Sequence, residues 1–146
     1  MVHHLSIAVS DLARSGAFYD AALGPLGYVR VWTHEVGSGH RQAAIGYGWP
    51  GGEDEFAIRW RPAGSFATGD GFHVAFRARS REAVVAFHRA ALESGGQDNG
   101  GAGLHPEYGP SYFAAFVLDP DGYRIEAVRS EEESLIQMQA TQIPGR

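Results

Sequence analysis

Apolar and polar residues alternate over His4–Val9 (HLSIAV), which predicts a short strand. A polar break follows, with Asp11 placed as an N-cap. Phe18, Ala22 and Leu23 then fall at helical spacing within Leu12–Leu23. Gly24-Pro25 stops that helix. Three strand-like runs come next: Tyr28–Thr33, Arg41–Tyr47 and Glu55–Arg61. The turn Gly37-Ser38-Gly39 and the Gly/Pro-rich stretch Gly48–Gly52 separate them. The order then restarts. Gly71–Ala78 reads as a strand, and Ser80 caps a helix with Glu82 in its first turn. Val84, Phe87, Ala91 and Leu92 form the apolar stripe of that helix, and Gly95-Gly96 ends it. Gln97–Pro110, rich in Gly and polar residues, reads as a long loop with at most a short strand. Tyr112–Leu118 and Tyr123–Val128 are strands joined by the turn Asp119-Pro120-Asp121-Gly122. After Ser130 the pattern changes. Glu131-Glu132-Glu133 is placed to start a short helix presenting Leu135, Ile136 and Met138, before a frayed end.

The restart is a repeat. Moving His4–Gly27 forward by 69 positions lands it on His73–Gly96 without a gap. His4 falls on His73, Ala17 on Ala86, Phe18 on Phe87, Ala21 on Ala90, Ala22 on Ala91, Leu23 on Leu92 and Gly27 on Gly96. Two copies of so long a unit exclude a solenoid and predict a pseudo-two-fold domain.

Composition narrows the function. A chain of 146 residues with no Cys has no disulfide, thiol nucleophile or Cys-zinc site. All 12 basic residues are Arg, so a Schiff-base lysine and a Walker-type phosphate loop are excluded. The net charge of −5 and the lack of a basic cluster argue against nucleic acid. No apolar run is long enough for a membrane span. The opening MVHHLSIAV has no basic region before its strand pattern, so no secretory signal is expected and a cytoplasmic location is the expectation.

The duplicated His is the first candidate for chemistry. If the units pack about a pseudo-two-fold, His4 and His73 face one cleft. Two His and one carboxylate with open positions form a metal-binding triad. Glu126 is the best third ligand, because a carboxylate inside the apolar run Tyr123–Val128 needs solvent, an Arg or a metal. Arg59 and Ser6 are candidate substrate contacts, since Ser6 shares the face of His4 by the strand period of two. His105, Tyr108 and Tyr112 lie on or beside the long loop and could close over a ligand. His3, His34, His40 and His88 read as surface or packing residues.

Three motifs carry a family resemblance: HHLSIAVSDLARSGAFYDAALGPLGY, GFHVAFRA and FVLDPDGYRIEAV. In this order, over about residues 3 to 129, they resemble the vicinal oxygen chelate superfamily of glyoxalase I, bleomycin-resistance proteins, extradiol dioxygenases and fosfomycin-resistance transferases. The resemblance implies an α+β fold of two βαβββ modules, an incomplete barrel-like mixed sheet with helices outside. Module one covers about residues 3–62 and module two about 71–129 of a single domain at 1–130, with 131–146 as a tail. It also implies one divalent transition metal ion (Mn, Fe, Ni or Zn) held by His4, His73 and Glu126, and a homodimer.

Departures from each subfamily shape the functional expectation. Glyoxalase I carries a fourth ligand, Glu or Gln, on the last strand of module one. Here that site falls on Ala57 or Arg59, and neither is a ligand. Extradiol dioxygenases place a Tyr ten residues before the Glu, where this chain has Phe116, and His105 lies too far upstream for the usual spacing. Fosfomycin-resistance transferases use Lys and Arg on the phosphonate, and this chain has no Lys. The expectation is a glyoxalase-type, metal-dependent, lyase- or isomerase-like enzyme. It would chelate a small oxygenated metabolite through two oxygens, and Arg59, if inward, would favour an anion. The rivals are a bleomycin-resistance-like binding protein without turnover, a fosfomycin-resistance-like thiol transferase and, less favoured, an extradiol dioxygenase.

Overall fold

The computed structural model describes residues 1–36, 42–64 and 66–131. Module one runs β1 (Leu5–Val9), α1 (Leu12–Leu23), a 3-10 turn at Gly24–Leu26, β2 (Val29–His34), β3 (Ala44–Gly48) and β4 (Phe56–Trp60). Module two runs β5 (His73–Arg77), α2 (Arg81–Glu93), β6 (Gln97–Leu104), a 3-10 turn at Pro106–Tyr108, β7 (Phe113–Leu118) and β8 (Arg124–Arg129). Each forms a four-stranded mixed sheet, ordered β1-β4-β3-β2 in one and β5-β8-β7-β6 in the other. In both, the first strand runs parallel to the last, and the remaining pairs are antiparallel. The protein is therefore α+β, two βαβββ modules in the element order the pattern predicts, and their sheets do not close into a barrel, as the family resemblance implies.

Local chemistry sets the helix ends. The Asp11 carboxylate accepts from Arg14 N, and the Ser80 hydroxyl accepts from Ala83 N. Each satisfies one of the amide donors that a helix start leaves unpaired. Gly27, with φ of 95°, ends the 3-10 turn in a left-handed conformation that a side chain disfavours. The helices lie on one side of the sheets. Ile7, Val9, Phe18, Leu23, Ile58, Phe76, Phe87, Val117 and Ile125 join one apolar core beneath them. Burial of this kind is worth about 25 cal/mol per Å² of apolar surface. The opposite sheet faces are thereby left free for function.

Two expectations need correction. Gln97–Leu104 is not a loop but an eight-residue strand, paired with β7 through two register shifts. Its glycines suppress strand propensity, yet the backbone ladder needs no side chains. Gly100 has a positive φ of 141°, and a Cβ there would come within 3.0 Å of the Phe116 ring. Leu92 is 37% exposed and lies at the edge of the α2 stripe, whereas Val84, Phe87 and Ala91 are fully buried. The predicted turn Gly37–Gly39, Arg41, His40 and the predicted helix after Glu131 fall outside the described residues.

The modules are fastened to each other by the turn between β7 and β8. Asp119 is buried and accepts from the Tyr19 hydroxyl of α1 at 2.6 Å and from the backbone amides of Asp121 and Tyr123. Asp121 accepts from the Ser10 backbone amide, the Ser10 hydroxyl and the Arg14 guanidinium. Burial raises the Asp119 carboxyl above its ordinary range despite these donors. It also raises the Tyr19 phenol.

Candidate functional site

Strand register decides which side chains share the helix-free face. In module two, Ala75 sits opposite Glu126 and His73 opposite Arg124, while Phe116 faces Glu126 from β7. Ile125 and Ala127 point into the core, so Glu126 points away from it. Its side chain is only 4% exposed, yet two polar groups reach it. The Tyr112 hydroxyl donates to Oε1 at 2.5 Å, and His73 Nε2 lies 3.5 Å from Oε2. The His73 ring is 58% exposed, so the pair has a buried acid and an accessible imidazole.

These groups line a cavity of about 380 Å³. Its polar lining is His73, Asn99, Arg124 and Glu126, and Tyr108, Tyr112 and Phe116 supply an aromatic wall. His105 stands behind the aromatic wall, 5.2 Å from Phe116 and 6.0 Å from Tyr108 between ring centroids. Its Nδ1 is 3.0 Å from Glu107. Arg124 is already engaged, donating to the Thr68 carbonyl and to Asp70.

His4 stands elsewhere. It is exposed at the start of β1, its Nδ1 3.0 Å from that of His3, and it lines a second cavity where the two sheets adjoin. Leu5, Tyr28, Glu55, Phe56 and the β5 residues Val74–Phe76 complete that cavity. The Tyr28 phenol donates to Glu55 at 3.1 Å, and burial pushes its pKa up to about 12. Of the expected triad, the chain brings His73 and Glu126 together and leaves His4 apart. Among the described residues, no three His, Asp or Glu side chains stand close enough to share a metal ion. Ser6 and Arg59 are both exposed on the helix-free face of module one.

The same register resolves the fourth position. Ser6 pairs with Ala57 as Ala75 pairs with Glu126, so the 69-residue offset carries Ala57 onto Glu126. Arg59 pairs with Ala8, one step further along the face. Ala57 thus stands where module one would hold a carboxylate, and Arg59 does not replace it. Trp32 covers Gly46 on the neighbouring strand, where any Cβ would collide with the indole.

The family model for the Glyoxalase/Bleomycin resistance protein/Dioxygenase superfamily matches residues 1–127. The chain belongs to this superfamily. A glyoxalase/bleomycin resistance protein from Albidiferax ferrireducens T118 is 32% identical, with a TM-score of 0.68 over 87% of this chain and 96% of that one. A glyoxylase/bleomycin resistance protein/dioxygenase domain from Frankia sp. EAN1pec shares the fold at 19% identity and a TM-score of 0.65, covering 88% and 95% of the two chains. Glyoxalase I from Zea mays shares it at 20% identity and a TM-score of 0.66, over 97% of this chain and 50% of the maize protein. The search of curated proteins found no match.

Against this superfamily, the donor chemistry of module two suits a first-row divalent metal. An imidazole and a carboxylate stand side by side in the lining of one cavity, and one carboxylate oxygen is free of the tyrosine. The two donors fit such an ion. Among the described residues, no third His, Asp or Glu joins them. The Tyr112–Glu126 bond had little signal in the sequence, because Tyr112 stands just before β7, 14 residues from Glu126, and the strand register sets Phe116 rather than Tyr112 opposite the acid.

Proposed function

We propose that this protein is a glyoxalase-type, metal-dependent enzyme acting on a small oxygenated metabolite. The observation that carries the reading is the buried Glu126 carboxylate beside the accessible His73 imidazole in a cavity of about 380 Å³. His73, Glu126 and His4 would hold a divalent ion. Such an ion supplies Lewis-acid polarisation of substrate oxygens and stabilises the negative charge that develops on them. The chain's own groups do the rest. Tyr108, Tyr112 and Phe116 pack an apolar part of the ligand and exclude water from that wall. Asn99 offers donors to its oxygens.

Because His4 lines a different cavity from His73, we place the third donor on a second copy of the chain. In a homodimer, module one of each copy would face module two of the other. The missing fourth carboxylate at Ala57 argues against the glyoxalase I reaction itself. A binding protein without turnover is the second reading, favoured by the aromatic wall and by the separation of His4 from the other two donors.

Metal analysis of protein purified without chelator tests the enzyme reading. Retention or restoration of about one Mn, Fe, Ni or Zn per chain is expected, and none would leave the binding reading. Mixing His4→Ala with His73→Ala subunits tests the shared site. Each variant alone is expected to lose metal, and mixed dimers to regain one intact site. No regain on mixing would reject pairing between chains.

A further inference from the structure

We propose that Tyr112 is a positioning residue that fixes which oxygen of Glu126 faces the cavity. The carboxylate is asymmetric in its surroundings. Oε1 accepts a 2.5 Å hydrogen bond from the Tyr112 hydroxyl, whereas Oε2 lies 3.5 Å from His73 Nε2. With Oε1 engaged, the side chain offers one oxygen to whatever His73 also binds. It therefore acts as a single-oxygen donor. The hydroxyl also compensates a carboxylate that is only 4% exposed, without bringing a positive charge beside it.

Backbone geometry holds Tyr112 in place. His105 N donates to the Tyr112 carbonyl at 2.8 Å, and Tyr112 N donates to the Gly109 carbonyl. The Tyr112 ring lies 5.3 Å from that of Tyr108, which stacks on His105. The segment from His105 to Tyr112 thus forms a lip of the cavity, tied to Glu126 through the phenol of Tyr112. Gly109, with φ of 146°, supplies the backbone conformation that turns the chain back toward β7. Tyr112 stands 14 residues before Glu126 and just outside the β7–β8 ladder, where Phe116 is the cross-strand neighbour of the acid, so Tyr112 reaches Glu126 by its side chain alone.

The inference rests on the metal reading above for its consequence, but not for its geometry. Tyr112→Phe removes only the hydroxyl, and Tyr108→Phe serves as the control on the same lip. In metal-free protein with ¹³C-labelled glutamate side chains, the Glu126 carboxyl signal is expected to move in Tyr112→Phe and not in Tyr108→Phe. In Mn(II) titrations followed by electron paramagnetic resonance, Tyr112→Phe is expected to bind about 10- to 100-fold more weakly, the usual cost of losing a partner of a metal ligand. Tyr108→Phe is expected to bind as the native protein does. An unmoved carboxyl signal overturns the proposal whether or not metal binds. A moved signal with Mn(II) affinity within twofold of native overturns it as well. If native protein binds no Mn(II), the metal reading fails on its own, and the carboxyl signal alone decides the role of Tyr112.

Discussion

The two modules share one topology and one register, yet they present unlike faces. Module two places His73, Glu126 and Tyr112 around a cavity. At the matching positions module one has His4 and Ala57, with Ser6, Arg59 and Trp32 spread over an open face. The duplicated backbone supplies equivalent positions, and single side chains decide which copy carries an acid. Glu126 can be buried because Tyr112 and His73 compensate it. Ala57, fully buried opposite Gly46, has no such partners. The modules also differ in their last turn. Asp119 and Asp121 of module two reach into α1 and the Ser10 region of module one.

The sharpest test of this asymmetry is Glu126→Gln. If about 10–16 kcal/mol is shared among four ligands in a structural zinc site, one ligand carries about 3 kcal/mol, so Mn(II) affinity should fall on the order of a hundredfold. Equilibrium dialysis measures it, and an unchanged affinity would remove module two as the metal-binding half.

The intermodule turn comes next. Asp119→Ala leaves the Tyr19 hydroxyl and two backbone amides without their acceptor, at about 1–3 kcal/mol for each unsatisfied group. Urea denaturation should show a large loss in Asp119→Ala. Asp119→Asn should lose much less, because an amide can accept from the amides and donate to the phenol. The sign with pH follows from burial. The folded carboxyl titrates above its unfolded value, so its stabilisation is full below the unfolded pKa and is lost as pH rises through the folded one. Asp119→Asn should flatten that part of the stability profile, and a profile identical to native would reject the assignment.

Giving module one its missing acid should have a smaller effect. Ala57→Glu puts a carboxylate at the position equivalent to Glu126 and should tighten Mn(II) binding about tenfold, discounted from a full ligand because the site is tightly packed. The smallest effect belongs to Arg59. It is exposed and one register step from the ligand position, so Arg59→Glu should change Mn(II) affinity less than about twofold. A tenfold gain from Arg59→Glu and none from Ala57→Glu would invert the register argument. Titration of both variants decides between them.

Periodicity by itself determined most of the fold. Alternation over HLSIAV, the Asp11 and Ser80 caps and the Gly-bounded helices are local signals, and they produced β1, α1 and α2 within a residue or two. The repeat offset fixed the pairing of His4 with His73 as equivalents. It did not fix their distance, because equivalent residues in two modules meet only if the modules face each other. Here the Asp119–Tyr19 and Asp121–Ser10 bonds fasten the modules differently, and His4 lines its own cavity. The strand at Gln97–Leu104 was hidden because its pairing uses backbone groups that glycine supplies as well as any residue. Ala57 against Arg59 stayed open in the sequence, since both lie on one face by the period of two. Only the hydrogen-bond register with β1 separated them. The Tyr112–Glu126 bond likewise needed the tertiary structure, because Tyr112 lies in the segment before β7 and reaches the acid by its side chain, which spacing along the chain does not reveal.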